Sequence, residues 1–191
     1  NFSKNPVDRC YYCKKALFTR MIDFSKKEGF RFVADGSNAD DPGDTRPGMR
    51  ALTELSIPSP LLQAGLNKDE IRQLSKQMGL ASWDRPSFAC LASRIPYGQT
   101  ITKEKLRMIE NAEQFFLDLG FKQIRVRHHG DIARIEVAGD EFNKIFIGDL
   151  TNRIALKLKA IGFAYVTLDM QGYRTGSLNE VVAQKSLTVS P

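Results

Sequence analysis

Apolar residues recur at helical spacing between Cys10 and Gly29. Leu17, Met21, Ile22 and Phe24 lie on the stripe, and Gly29 is the stop, so the spacing predicts an amphipathic helix. Phe30-Arg31-Phe32-Val33-Ala34 then reads as a short buried strand. Directly after it comes the turn-rich acidic run Asp35-Gly36-Ser37-Asn38-Ala39-Asp40-Asp41. Open α/β sheets take their ligands at the carboxyl ends of strands, which makes this loop a candidate binding segment. Thr45-Arg46-Pro47-Gly48 continues it, with Arg46 placed to meet an anion. Asn67-Lys68-Asp69-Glu70 caps a helix that runs to about Met78, and Gly79 ends it.

The pattern changes after Ser93-Arg94-Ile95-Pro96-Tyr97-Gly98, which reads as a linker between a first unit over residues 1–92 and a second over 93–191. Thr102 opens a long amphipathic helix through about Leu119, with Lys rather than an acid three residues on. Gln123 to His128 and Ile132 to Val137 alternate as strands, and His129-Gly130-Asp131 between them predicts a hairpin turn. A helix from about Asp149 to Ile161 and a strand from Ala164 to Asp169 complete a helix, hairpin, helix, strand unit. From about Gly172 the chain is polar and loop-like. The whole pattern is α/β.

On the first hairpin strand, Ile124, Val126 and His128 face one way, and Arg125, Arg127 and His129 the other. Arginine forks on one face form a receptor for phosphate or carboxylate. The plainer reading is a solvated face paired with acids such as Glu136. Glu113 and Glu136, with Asp140 or Glu141, are candidate ligands for a hard cation, or acids that only hydrate. The net charge of +6 favours an anionic partner, either nucleotide phosphate or nucleic acid. With 42% hydrophobic and 26% charged residues, the 191-residue chain can bury a sizeable core. No apolar run approaches membrane-spanning length.

Three cysteines carry the remaining chemistry. Cys10 and Cys13 open the first helix in Arg9-Cys10-Tyr11-Tyr12-Cys13-Lys14, where the helix N-terminus and Arg9, Lys14 and Lys15 favour thiolate. Cys90 stands far off, before Leu91-Ala92-Ser93-Arg94. Three thiolates can hold a cubane with one iron open, or a three-thiolate metal site; equally, thiols can be small buried hydrophobes. A structural zinc half-site is a further alternative, and the two histidines, His128 and His129, are its candidate fourth ligands. An odd count without a secretory leader argues against a disulfide and for a reducing compartment, the cytoplasm.

Taken in order, Asn5-Pro6-x-x-Arg9-Cys10-Tyr11-x-Cys13-Lys14, the loop Asp35 to Asp41, Arg46-Pro47-Gly48, Cys90 to Gly98, and Arg125-Val126-Arg127 through Asp131 to Glu136 resemble the LarE-type ATP-dependent sulfur transferases of the PP-loop ATP pyrophosphatase superfamily. The match covers nearly the whole chain. It implies the C-terminal part of a doubly wound PP-loop (adenine nucleotide α-hydrolase-like) domain, followed by a smaller α+β domain for substrate binding and oligomerisation.

The resemblance also implies an activity. In this family ATP adenylylates a carboxylate of a pyridinium biscarboxylic acid mononucleotide, and sulfur replaces the adenylate, a step toward the nickel-pincer nucleotide cofactor. Cys10, Cys13 and Cys90 resemble the branch that holds a 4Fe-4S cluster with an extra sulfide. The other branch sacrifices the sulfur of a single cysteine at the position of Cys90. Arg125 and Arg127 resemble the substrate-phosphate residues, with Lys14, Arg46 and Arg94 as further anion contacts, and Glu113 and Glu136 match acids of a second metal site whose third acid has no counterpart here.

Expected cofactors and partners are therefore the cluster, ATP with Mg2+, the mononucleotide, a sulfide or other sulfur donor, and further copies in a homo-oligomer, with a hexamer as the candidate state. The family's Ser-Gly-Gly-x-Asp-Ser phosphate loop is not in these residues. Because the sequence opens at Asn1 and enters a motif at once, a further N-terminal portion is expected. Two alternatives stand beside this reading. A cluster-dependent tRNA-thiolating enzyme of the same superfamily would carry an RNA-binding module such as zinc ribbons, which is not seen here. A non-enzymatic cluster scaffold would leave the Arg-x-Arg strand unexplained.

Overall fold

The computed structural model describes residues 1–41, 47–85, 89–174, 176, 177 and 180. The chain divides into two compact units. The first holds residues 1–2 and 6–88, and the second holds residues 3–5 and 89–191.

In the first unit, α1 (Arg9–Lys27) is the predicted helix, ended by Glu28 and by Gly29 at φ 78°. It is followed by α2 (Pro47–Glu54), α3 (Pro60–Gln63) and α4 (Lys68–Gln77). α2 lies along α1 with Ala51 and Leu52 buried, and a Cβ on Gly48 would come within 3.0 Å of the Lys14 side chain, so glycine allows that approach. Asn67 and Glu70 form a reciprocal capping box on α4, satisfying two backbone donors that a helix start leaves open.

Two apolar expectations in this unit are overturned. α1 buries Phe18 and Ser25, while Leu17, Met21 and Phe24 face outward. Residues 30–34 are not a strand, and Phe32 is 76% exposed. A strand exists only as half of a ladder, and the described residues include no segment that pairs with it. β propensity had no partner to act on.

The second unit is mixed. A 3-10 turn (Leu91–Arg94) leads to α5 (Lys103–Asp118), β1 (Ile124–His129) and β2 (Ile132–Val137), then a 3-10 segment (Gly139–Phe146), α6 (Leu150–Ile161) and β3 (Tyr165–Leu168). Thr102 caps α5 by accepting from the Lys105 N–H at 3.2 Å. β1 and β2 form the expected hairpin, with His129 opposite Ile132 and Gly130 at φ 67° in the turn. β3 joins β2 in parallel after the α6 crossover, giving the order β1-β2-β3.

Ile124 and Val126 of β1 meet Ala112 and Phe116 of α5, Leu158 of α6 and Phe163 in one apolar core. Ser93 to Gly98, expected as a linker, is part of this unit's interior at Arg94 and Ile95. The polar segment after Gly172 returns to the sheet, where Tyr173 donates its N–H to the Val137 carbonyl at 2.8 Å. No described helix is long and apolar enough to cross a membrane.

Candidate functional site

Cys10 and Cys13 lie one turn apart at the start of α1, both exposed and neither in a disulfide. Asp8 precedes the helix without a side-chain cap, and no acid occupies the first turn, so this N-terminus keeps its positive end. The neighbouring lysines are already committed. Lys15 Nζ donates to Glu54 Oε2 and to the Tyr11 hydroxyl, both at 2.8 Å. The Tyr11 hydroxyl in turn donates to Glu54 at 2.7 Å, and the Arg50 guanidinium lies 4.0 Å from the Tyr11 ring centroid. The Lys15 ammonium holds the Glu54 carboxyl below its ordinary range.

Lys14 reaches Asp35 at 3.2 Å. Asp35 also accepts from Ser59 Oγ at 2.6 Å and from the Ser37 N–H at 3.1 Å. Burial pushes the Asp35 carboxyl up, but these hydrogen bonds and the Lys14 charge outweigh it and hold the group below its usual range. The acidic loop is braced from within: Asn38 N–H donates to Asp41, Asp40 N–H to Asn38, and Lys68 N–H to Asp40. Lys14 is thus an ammonium held by a carboxylate at the foot of this loop. Arg46 lies outside the described residues.

In the second unit, Cys90 is exposed at the head of the Leu91–Arg94 turn. Arg94, only 1% exposed, holds its backbone: Nη1 donates to the Ala89 carbonyl at 2.7 Å and to the Cys90 carbonyl at 3.0 Å. The other edge of the same guanidinium forks onto Glu113 at 2.8 and 2.9 Å. Glu113 also accepts the Val126 N–H from β1 at 2.9 Å. Arg94 is therefore spent within the fold.

The arginine face of β1 is covered rather than solvated. Arg127 forks onto Glu136 at 2.9 and 2.8 Å and donates to the Ser93 carbonyl and to Ser177 Oγ. Glu136 has no exposure and also accepts from Arg134 at 2.8 Å. Arg125 differs. It is 6% exposed, donates to its neighbour's carbonyl at Ile124, lies 5.2 Å from the Tyr173 ring, and has no carboxylate partner among the described residues. Burial, with Arg94 nearby, lowers its affinity for its proton below that of an ordinary arginine. Of Arg94, Arg125 and Arg127, Arg125 is the one with no carboxylate hydrogen bond among the described residues.

The Glu113 and Glu136 carboxylates are each gripped by a guanidinium fork, from Arg94 and Arg127. Within each unit, the described residues hold no group of three His, Cys, Asp or Glu side chains that would cage a metal. His128 points into the core, its ring 5.3 Å from that of Phe163. Two members of the second site were not expected from sequence: Tyr173, beside Arg125, and Ser177, beside Arg127. Both come from the segment that read as polar tail.

No family model matches the chain. Among curated proteins it is 40% identical over 185 residues to an uncharacterized protein of Synechocystis sp., covering 96% of this chain and 69% of that one. It is 33% identical over 172 residues to an uncharacterized protein of Methanocaldococcus jannaschii, covering 90% and 66%. The third relative is the pyridinium-3,5-bisthiocarboxylic acid mononucleotide synthase of Lactiplantibacillus plantarum, 34% identical over 187 residues, 98% of this chain and 67% of that enzyme. The chain spans about two thirds of the length of each. Identity at that level, over 98% of the chain and two thirds of the synthase, makes it a member of the LarE-type family to which this synthase belongs.

Proposed function

We propose that this chain is part of an ATP-dependent sulfurtransferase that turns the carboxylates of a pyridinium-3,5-biscarboxylic acid mononucleotide into thiocarboxylates, as in nickel-pincer nucleotide synthesis. The observation that carries the reading is the 34% identity to the synthase that bears the product's name, over 98% of the chain. The first expected step is attack of a substrate carboxylate oxygen on the α-phosphorus of Mg-ATP, with pyrophosphate leaving. Sulfide then adds at the acyl carbon and AMP departs with the oxygen, so that an unreactive carboxylate gains a leaving group at the cost of one ATP. The doubly wound PP-loop sheet that would bind ATP belongs to this proposal.

Arg125 would hold the substrate's phosphate. Its buried guanidinium has no carboxylate hydrogen bond to give up among the described residues, and a charge-assisted pair there is stronger than one in water. Arg127 would add positive potential from beside it. Lys14 and Arg46 are the proposed contacts for the ATP phosphates. The chemistry of the donor set suits a cluster: three exposed thiols outside any disulfide, two of them a helical turn apart. When bound to Cys10, Cys13 and Cys90, a 4Fe-4S cluster supplies an iron without a protein ligand, where an exchangeable sulfide can be carried. A homo-oligomer in a reducing compartment completes the reading.

The test is anaerobic reconstitution of the full-length protein, with iron and acid-labile sulfide counted and the mononucleotide product weighed by mass spectrometry. One cluster per chain and ATP-dependent thiocarboxylate are expected. Full iron retention in Cys90→Ala would remove that residue from the ligand set.

A further inference from the structure

Within the second unit, the backbone of Tyr173 is fixed independently of its ring. β3 ends at Leu168, and the Asp169 N–H still donates to the Ile135 carbonyl of β2 at 2.8 Å. The chain then turns, with the Gly172 N–H on the Asp169 carbonyl at 3.0 Å, and rejoins β2 where the Tyr173 N–H meets the Val137 carbonyl at 2.8 Å. Gly172 makes that return possible. Its φ is 65°, and a Cβ there would lie 2.8 Å from the Val137 carbonyl oxygen, so a side chain has no room. From this anchored position the Tyr173 ring reaches the arginine face of β1, where the Arg125 guanidinium carbon lies over it at 5.2 Å from the centroid.

The ring offers Arg125 a partner without a charge. Burial disfavours this cation, and Arg94 and Arg127 repel it, while Glu113 attracts it from its own fork with Arg94. Arg94 and Arg127 are matched by carboxylates, which take their in-plane N–H groups, the same groups that a phosphate needs. An aromatic face attracts a cation through its quadrupole and supplies no oxygen to those groups. The Nη1 of Arg125 donates to the Ile124 carbonyl at 2.7 Å, and no carboxylate takes the remaining N–H groups among the described residues. The neighbouring arginine is treated in the opposite way. Ser177 Oγ accepts from Arg127 at 2.9 Å, so a guanidinium already forked onto Glu136 has a further donor occupied.

We infer that Tyr173 is a positioning residue for substrate binding: its ring holds Arg125 in place as a cation and leaves the guanidinium N–H groups to the phosphate of the mononucleotide. This rests on the reading of Arg125 as the phosphate contact.

The experiment titrates the full-length protein, without ATP, with the pyridinium-3,5-biscarboxylic acid mononucleotide and with the corresponding nucleoside, which lacks the phosphate. The gap between the two affinities in calorimetry reads the phosphate contact alone. Tyr173→Leu and Tyr173→Met keep apolar bulk and remove the aromatic face; Tyr173→Phe keeps the face and removes the hydroxyl. The first two should narrow the gap about fivefold, and Tyr173→Phe should restore it. In an Arg125→Ala background, Tyr173→Leu should narrow it no further, because a ring that acts through Arg125 then has nothing to hold. Circular dichroism melts report that the variants are folded.

A wild-type gap in folded Tyr173→Leu or Tyr173→Met overturns the inference. So does a loss in Tyr173→Phe as large as in Tyr173→Leu, which would assign the effect to the hydroxyl, or a further loss on adding Tyr173→Leu to Arg125→Ala. The phosphate reading fails by a different result. If nucleotide and nucleoside bind alike to the wild type, or if Arg125→Ala keeps the gap, the phosphate lies elsewhere and both claims fall. If Arg125→Ala closes the gap and Tyr173→Leu leaves it open, the phosphate contact stands and the role of Tyr173 is lost.

Discussion

Arg94 and Glu113 form a buried fork at 2.8 and 2.9 Å, and the nitrogen of Arg94 outside that fork donates to the carbonyl of Cys90. One guanidinium thus joins α5, β1 and the loop that presents a thiol. Arg94→Lys keeps the charge but cannot reproduce the planar fork or reach the Ala89 and Cys90 carbonyls together. Each hydrogen bond to a charged group that the substitution loses is worth about 1.5 to 3 kcal/mol. Urea unfolding of the variant should show a loss of that order, with Cys90 alkylated faster than in the wild type. A midpoint within error of the wild type would mean that water or another group replaces the fork.

Arg125 and Arg127 are neighbours on one face of β1, yet their substitutions should separate. Arg125→Ala removes a buried charge that no described carboxylate hydrogen-bonds, so stability should change little while a phosphate-bearing mononucleotide binds more weakly. A hydrogen-bonded charged contact is worth about 1.5 to 3 kcal/mol, roughly 10- to 150-fold in Kd. Arg127→Ala instead takes a two-bond fork from Glu136, which has no exposure and is left with Arg134, and should lower the unfolding midpoint first. Calorimetric titration and thermal melts on both variants separate the two roles. Equal binding by Arg125→Ala and wild type would return that residue to a purely structural place.

The contrast also marks what was legible in the sequence. Side-chain alternation placed Arg125 and Arg127 on one face, because strand period is fixed by backbone geometry. It named Glu136 as an acid for that face, but not that Arg127 rather than the directly opposite Arg125 would take it, or that Tyr173 and Ser177 would pack beside the arginines, since those contacts are set by tertiary packing. The capping signals at Asn67 and Thr102 and the Gly130 turn were local and visible. Phe30 to Ala34 had strand composition, but strand formation depends on a partner the local sequence does not contain. Arg94-Ile95-Pro96 read as linker because Pro96 and Gly98 signal a loop; its burial is decided by Asn5, some ninety residues earlier, whose amide donates to the Ile95 and Pro96 carbonyls, and by Glu113.

Acid should weaken the second unit through His128. Burial, with the Lys105 charge added, holds this imidazole below its ordinary range, and its Nδ1 has no hydrogen-bond partner among the described residues. The unfolded chain therefore binds a proton near pH 6.5 that the folded one resists, so stability rises with pH through that window and falls as pH drops below about 6.5. His129, also lowered by burial and by Arg134 and Arg127, acts in the same direction. Asp35 and Glu141, both held low, contribute stability that is lost only as pH falls below about 4. His128→Phe should flatten the profile between pH 5 and 7 in urea titrations, leaving the acid limb in place. An unchanged slope there would assign the dependence to other groups.

The source of the transferred sulfur is tested through Cys90. If the three thiols hold one cluster, no cysteine is consumed, and the chain keeps its mass through repeated turnovers on added sulfide and ATP. If Cys90 gives up its own sulfur, each chain turns over once and ends lighter by one hydrogen sulfide. The exposure of all three thiols is compatible with either, so the label decides. Full-length protein supplied anaerobically with isotopically labelled sulfide should yield labelled thiocarboxylate beyond one equivalent and a protein of unchanged mass. Cys10→Ala and Cys13→Ala should each abolish the multiple turnovers. Unlabelled sulfur in the product, together with dehydroalanine at position 90, would establish sacrifice and leave Cys10 and Cys13 outside the reaction.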